Sequence, residues 1–132
     1  MLPEDLEGVL EVDQSAFKDI WQYSAETLHQ AYKHAAIATI IEHNDKPIAY
    51  QISTASIYGA HLARLAVLPK WQGRGYGKAL VVDVIYRFFH QGVLKVTVNT
   101  QTDNEQSLRI YRKLGFRHTG SRHPVYQLHL SD

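Results

Sequence analysis

Residues 61–81 read HLARLAVLPKWQGRGYGKALV, and three kinds of structure are joined in them without a break. His61 to Leu68 has a strand pattern, Pro69 ends ladder pairing, and Gly73, Gly75 and Gly77 run directly into the helical series Val81, Val84, Ile85 and Phe88. A glycine lacks Cβ, so its backbone can turn left-handed and approach a bound group closely. The first turn of the helix that follows offers unpaired N–H donors and the positive end of the helix dipole. Such a pairing of loop and helix start suits an anion, most often a phosphate.

Spacing discriminates between phosphate-binding loops. A P-loop needs Gly-Lys followed by Ser or Thr, whereas Lys78 precedes Ala79; the three glycines also fail the dinucleotide spacing G-x-G-x-x-G. The order Gln72-Gly73-Arg74-Gly75-Tyr76-Gly77 instead resembles the pyrophosphate signature Q/R-x-x-G-x-G/A of the GNAT superfamily of N-acetyltransferases. LAVLP at residues 65–69 is similar to that family's central strand, and the resemblance continues through VNTQTDNEQSLRIYRKLGF at residues 98–116. It covers most of the chain, from about Asp5 to Leu130, with the pattern nearest to ribosomal-protein N-terminal and arylalkylamine types.

Outward from this core, the spacing of Leu6, Val9, Leu10 and Phe17 predicts a first helix over residues 3–17, begun by Pro3 and acidic residues. Only Met1 and Leu2 precede it, where the resembled family has a strand, so a missing first strand or another occupant of that sheet edge is expected; an uncovered edge would favour a homodimer. Ser24 caps a second helix with Leu28, Ala31 and Tyr32 inward. The link of residues 18–23 carries Trp21 and Tyr23, which read either as core plugs or, by the resemblance, as a wall of the acceptor groove.

Residues 36–43 and 48–53 form a hairpin about Asn44-Asp45, Gly59 marks the next turn, and residues 62–68 form the central strand. Gly92 stops the helix after the glycine loop, and residues 93–99 form a strand with Leu94, Val96 and Val98 on one face. Asp103 or Asn104 caps a last helix with Leu108, Tyr111 and Leu114 inward and Arg109, Arg112 and Lys113 outward, before strands at about 116–119 and 125–130. The expectation is a single α/β (α+β) domain over residues 1–132, in the GNAT fold: a mixed sheet of about six strands, splayed centrally, with helices on both faces.

The 132 residues are 45% hydrophobic and 20% charged, a globular composition able to bury a core. Absence of cysteine excludes disulfides, thiolate metal sites and a cysteine nucleophile, and fits a reducing cytoplasm. A net charge of +1 gives no general attraction to nucleic acid or membrane, and no apolar run approaches the ~20 residues of a membrane span. A nucleic-acid role for Arg109, Arg112, Lys113, Arg117 and Arg122 lacks interleaved stacking aromatics. Eight histidines form no H-E-x-x-H pattern, so no metal is expected.

The resemblance implies the chemistry. Acetyl-CoA would be the co-substrate, held by Gln72, Gly73, Arg74, Gly75, Tyr76, Gly77 and Lys78 at the pyrophosphate, by Leu65, Ala66 and Val67 along the strand, and by Asn104 and Ser107. A bulge near residues 65–67 would free the Val67 N–H to polarise the thioester carbonyl. Tyr111, in Tyr111-Arg112-Lys113-Leu114-Gly115-Phe116, matches the family's general acid; an ordinary phenol at ~10 against a thiol at ~8.5 makes proton delivery uphill by about 2 kcal/mol.

Relatives that acetylate ribosomal N-termini carry a glutamate where this chain has Asn99, which cannot accept a proton. His61 stands where other members place a strand glutamate or histidine, and its ordinary pKa of ~6.5 suits a base near neutrality. Asn99, Gln101 and Tyr126 join Trp21 and Tyr23 as expected acceptor contacts. The implied reaction is direct transfer of acetyl to a primary amine in a ternary complex; the alternative is a non-catalytic acyl-CoA-binding module.

Overall fold

The computed structural model describes residues 1–99, 105–119 and 125–130. Four helices, α1 (Leu6–Ala16), α2 (Ala25–Lys33), α3 (Tyr76–His90) and α4 (Glu105–Lys113), flank six strands: β1 (Ile37–His43), β2 (Lys46–Ser56), β3 (Gly59–Val67), β4 (Lys95–Asn99), β5 (Arg117–His118) and β6 (Val125–His129). The strands form one sheet in the order β1-β2-β3-β4-β6-β5, antiparallel throughout except where β3 runs parallel to β4.

Local chemistry accounts for the joints. Asn44 and Asp45 take φ of 52° and 63° between His43 and Lys46, the left-handed pair that a two-residue hairpin needs to match strand twist. Ser24 Oγ accepts from Thr27 N at 3.1 Å and begins α2 as its sequence required. Pro3 to Asp5 form a single 3-10 turn before α1. Among the described residues no strand precedes α1; β1 is the sheet edge, and the Met1 amino group donates to Ala38 O at 3.2 Å.

The sheet separates two cores. On one face α3 and α4 cover Ala60, Leu62, Leu65, Val96 and Val98; on the other α1 and α2 cover Tyr50, Ile52 and Ala66. Strand β3 changes parity between them, because Ile52 pairs with Arg64 while Ser53 pairs with Leu62, leaving Ala63 as an extra, exposed residue. Before this bulge the even positions face α3; after it the odd ones do. The bulge therefore lies at Ala63, two residues ahead of the expected 65–67.

Strands β3 and β4 pair only from Ala60↔Val96 to Leu62↔Val98. Beyond Leu62, β3 continues to Val67 without β4, so the centre of the sheet opens as expected.

Two inward faces differ from expectation. Leu94 precedes β4 and is exposed, with its carbonyl accepting from Leu130 N at 2.8 Å. On α4 and just past its end the inward stripe is Ser107, Ile110, Tyr111 and Leu114, at i, i+3, i+4 and i+7, with Ser107 and Tyr111 buried and Ile110 and Leu114 half-buried against the core; Leu108 is equally half-buried but is not part of that core. The expected cap residues Asp103 and Asn104 lie outside the described residues.

Candidate active site

The glycine loop forms the outer end of the site. Gly73 and Gly75 take φ of 77° and 89°, and Gly75 is the residue from which α3 starts. A side chain at either would meet nothing within 4 Å, so the requirement is conformational and the space above them is open. Gly77 is different: a Cβ there would lie 2.9 Å from Ile110 Cδ1, so this glycine lets α3, α4 and Val67 approach. Backbone N–H groups at the start of α3 thus face a cleft of about 270 Å³ bounded by Trp71, Gly73, Gly75, Lys78, Gln106 and Arg109. Lys113 also lines it, so two α4 cations read from sequence as solvated charges belong to the cleft. Arg74 instead stacks its guanidinium 4.9 Å over the Trp71 ring.

A smaller recess of about 50 Å³ continues inward between β3 and α4, lined by Leu65, Ala66, Val67, Ser107 and the α1 end residues Ala16 and Phe17. The two spaces share Val67, Gln72, Gln106 and Ile110, and so form one passage from the glycine loop to the opening of the sheet. Gln72 Nε2 donates to Val67 O at 3.0 Å, fixing loop to strand. Leu68 N donates to Ile48 O on the β2 side, so by alternation the Val67 carbonyl and N–H are on the opposite edge, toward the passage. That geometry, with the glycine cradle, fits a diphosphate followed by a narrow extended arm ending beside a backbone donor.

Tyr111 is 3% exposed and packs its ring 5.4 Å from that of Phe116. Burial raises its pKa well above the ordinary phenol value, while a hydrogen bond with the Ser107 side chain works the other way. The phenol is therefore a protonated group throughout the working range, and releasing its proton costs more than the 2 kcal/mol derived from ordinary values. Ser107 lies between this hydroxyl and the inner recess, one helical turn earlier.

His61 lies elsewhere on β3. Its Nδ1 is 2.8 Å from Thr97 Oγ1, and burial lowers its pKa, with the Thr97 hydrogen bond opposing. It lines a separate recess of about 200 Å³ with Thr54, Tyr58 and Lys95, which shares no residue with the passage. Asn99 is exposed at the end of β4, on the strand face of Thr97. Tyr126 pairs with Val98, packs on the α3/α4 core and sits edge-on to His118 at 5.2 Å. Gln101 and Asn104 lie outside the described residues.

The link between α1 and α2 holds a group that sequence reading missed. Asp13, completely buried, accepts from Arg64 Nε at 2.9 Å, Arg64 Nη2 at 3.1 Å, Tyr23 N at 2.7 Å and the Tyr50 hydroxyl. The Arg64 guanidinium is stacked between Phe17 and Tyr23, 3.8 and 4.0 Å from their ring centroids, and donates to Trp21 O at 2.5 Å. Tyr23 is thus committed to Arg64, while Trp21 and Ile20 remain 38% and 82% exposed. Burial first, then the Asp13 charge, raises the Tyr50 pKa, so it stays a donor; burial pulls Arg64 down, but Asp13 and Tyr50 together outweigh it and the net shift is upward. Four partners spread over 51 positions gave no local pattern to find.

Comparison with known proteins identifies the fold and the family. An alanine N-acetyltransferase of ribosomal protein bS18 from Haemophilus influenzae is 26% identical over 122 residues, covering 92% of this chain and 82% of that protein. The crystal structure of the Escherichia coli ribosomal-protein-S18-alanine N-acetyltransferase superposes with a TM-score of 0.86 at 22% identity, covering 100% of this chain and 92% of that one. A Thermoplasma acidophilum PaiA N-acetyltransferase solved with coenzyme A gives 0.83 at 18% identity, over 96% and 94%. The sequence model of the acetyltransferase (GNAT) family matches residues 6–116, and the chain belongs to that family.

Proposed function

We propose that this acetyltransferase moves the acetyl group of acetyl-CoA directly to a primary amine, with both substrates bound together. The observation that carries the reading is the continuity of the glycine cradle with the opened strand edge through Val67, Gln72, Gln106 and Ile110. In this reading Gly73, Gly75, Tyr76, Gly77 and Lys78 hold the diphosphate, Leu65 to Val67 guide the arm, and Asn104 and Ser107 complete the contacts. Acetyl-CoA, when bound, supplies the activated acyl group. The Val67 N–H would orient and polarise its carbonyl, and Tyr111 would hold a proton at Oη, hydrogen-bonded to Ser107, which is the one of the two that lines the inner recess.

His61 serves as the base for the incoming amine. Its lowered pKa keeps the imidazole neutral and able to accept a proton at pH 7. It stands four positions along the strand from Leu65, on the order of 13 Å, so the proton would cross by water. The names of the similar proteins make an N-terminal alanine the first acceptor to test, with lysine, polyamine and small-molecule amines after it. Calorimetry with acetyl-CoA, followed by a thiol-release screen of these amines, tests the proposal. Micromolar binding and turnover of at least one amine are expected; absence of coenzyme binding removes it.

A further inference from the structure

Most of the passage is lined by apolar groups and backbone, yet a buried ion pair stands one residue from it. A buried pair is a weak source of stability, since desolvating two charges offsets most of their attraction, and its best-attested use is to fix one arrangement among several. Here the arrangement fixed is that of the α1–α2 link. Arg64 precedes Leu65 on β3, and its five donors form a rigid planar fork. Two of them grip the Asp13 carboxylate, and Nη2 also reaches Trp21 O. Asp13 in turn takes the Tyr23 amide and the Tyr50 hydroxyl, so α1, the link, β2 and β3 are joined at one point.

The stacked rings extend the effect to the site. Phe17 presents its face to Arg64 and also lines the inner recess beside Leu65 and Ala66. Beyond Tyr23 the link leaves Ile20 and Trp21 exposed. We propose that the Asp13–Arg64–Tyr50 assembly positions the α1–α2 link as the acceptor-side wall of the cleft, with Arg64 a positioning residue for an amine that carries an apolar group. The diphosphate end of the coenzyme, held at the glycine loop on the α3/α4 face, lies apart from it. This inference rests on the acetyl-transfer reading.

The test is Arg64→Lys, which keeps the charge and loses the fork, with Tyr50→Phe as a milder second variant that leaves the ion pair. Hydrogen exchange of the amides of residues 18–23 is read in both, beside the α3 amides as an internal reference. Acetyl-CoA affinity is measured by calorimetry. Acceptor KM and kcat are measured with a peptide beginning Ala-Leu or, if it is not turned over, with the best amine of the screen.

Arg64→Lys is expected to speed exchange in the link at least tenfold and raise acceptor KM about tenfold, with kcat, α3 exchange and acetyl-CoA affinity within twofold. Tyr50→Phe should move link exchange and KM in the same direction by less, and it decides the matter if Arg64→Lys does not fold. Unchanged exchange in the link, unchanged acceptor KM, or equal losses in coenzyme affinity and acceptor KM overturn the inference. A wild-type protein that binds acetyl-CoA but acetylates no amine overturns the enzymatic reading itself, and that outcome is seen before any variant is made.

Discussion

The two faces of the sheet are built from different materials. On the α3/α4 face the cleft is organised by backbone, namely left-handed glycines, a helix start, an opened strand edge and one glutamine that ties loop to strand, with Lys78, Arg109 and Lys113 also lining it. On the α1/α2 face the wall is held by charged and aromatic side chains gathered from four segments. A backbone site recognises what is constant, in the proposed reading a diphosphate and a thioester carbonyl, because amides are the same whatever the side chains. A side-chain wall can vary with the acceptor while the other face stays fixed.

That contrast can be broken from either side. The largest effect is expected from Tyr111→Phe, which removes only the hydroxyl: kcat should fall about 10²–10⁴-fold with acetyl-CoA affinity within twofold, read by steady-state kinetics and calorimetry. A kcat within threefold of wild type would make Tyr111 a packing residue alone. Next, Arg64→Met should lower unfolding free energy by about 3–5 kcal/mol in urea titrations, since it leaves the buried Asp13 carboxylate without its cation. A loss under about 1 kcal/mol would show that water or Tyr50 satisfies the carboxylate unaided.

Gly75→Val should cost about 1–3 kcal/mol of acetyl-CoA binding, roughly 5- to 150-fold in Kd, because a β-branched residue resists φ of 89° and rearranges the start of α3. Equal affinity would mean the diphosphate sits elsewhere. The smallest effect lies in pH dependence. His61 has a lowered pKa in the fold, so it is the neutral form that the fold favours. Its contribution to stability is present above about 6.5 and is lost as pH falls through the lowered value. Activity that needs the neutral imidazole follows the same sign, with an acid limb in kcat/KM below pH 6.5 that His61→Gln abolishes. An acid limb unchanged in that variant would assign the base to another group.

Much of the cofactor face was legible because its signal is local. The six residues Gln72 to Gly77 carry their turn geometry in their identities, and the sheet opening was implied by the resemblance to the family rather than by the strand's own residues. The bulge was not placed by sequence, since register depends on β2 opposite: Ala63 is extra only because Ser53 pairs with Leu62. The α4 stripe was misjudged at one residue, because Ile110 and Leu108 are equally apolar and only the close approach to Gly77 selects Ile110. Arg109 and Lys113 read as solvent charges until α4 was seen against the glycine loop.

By itself, the order of residues determined the helices, the two-residue Asn44-Asp45 turn and the glycine cradle, all of which rest on interactions within about a dozen positions, and it carried the match to the family over residues 6–116. Only the tertiary structure decided that Asp13, Tyr23, Tyr50 and Arg64 meet, and that His61 lines a recess apart from the passage while Tyr111 is buried in the α3/α4 core. The reason is physical: local backbone preferences are properties of short segments, whereas burial, and the charge pairing and pKa shifts it enforces, exist only once distant segments exclude water together.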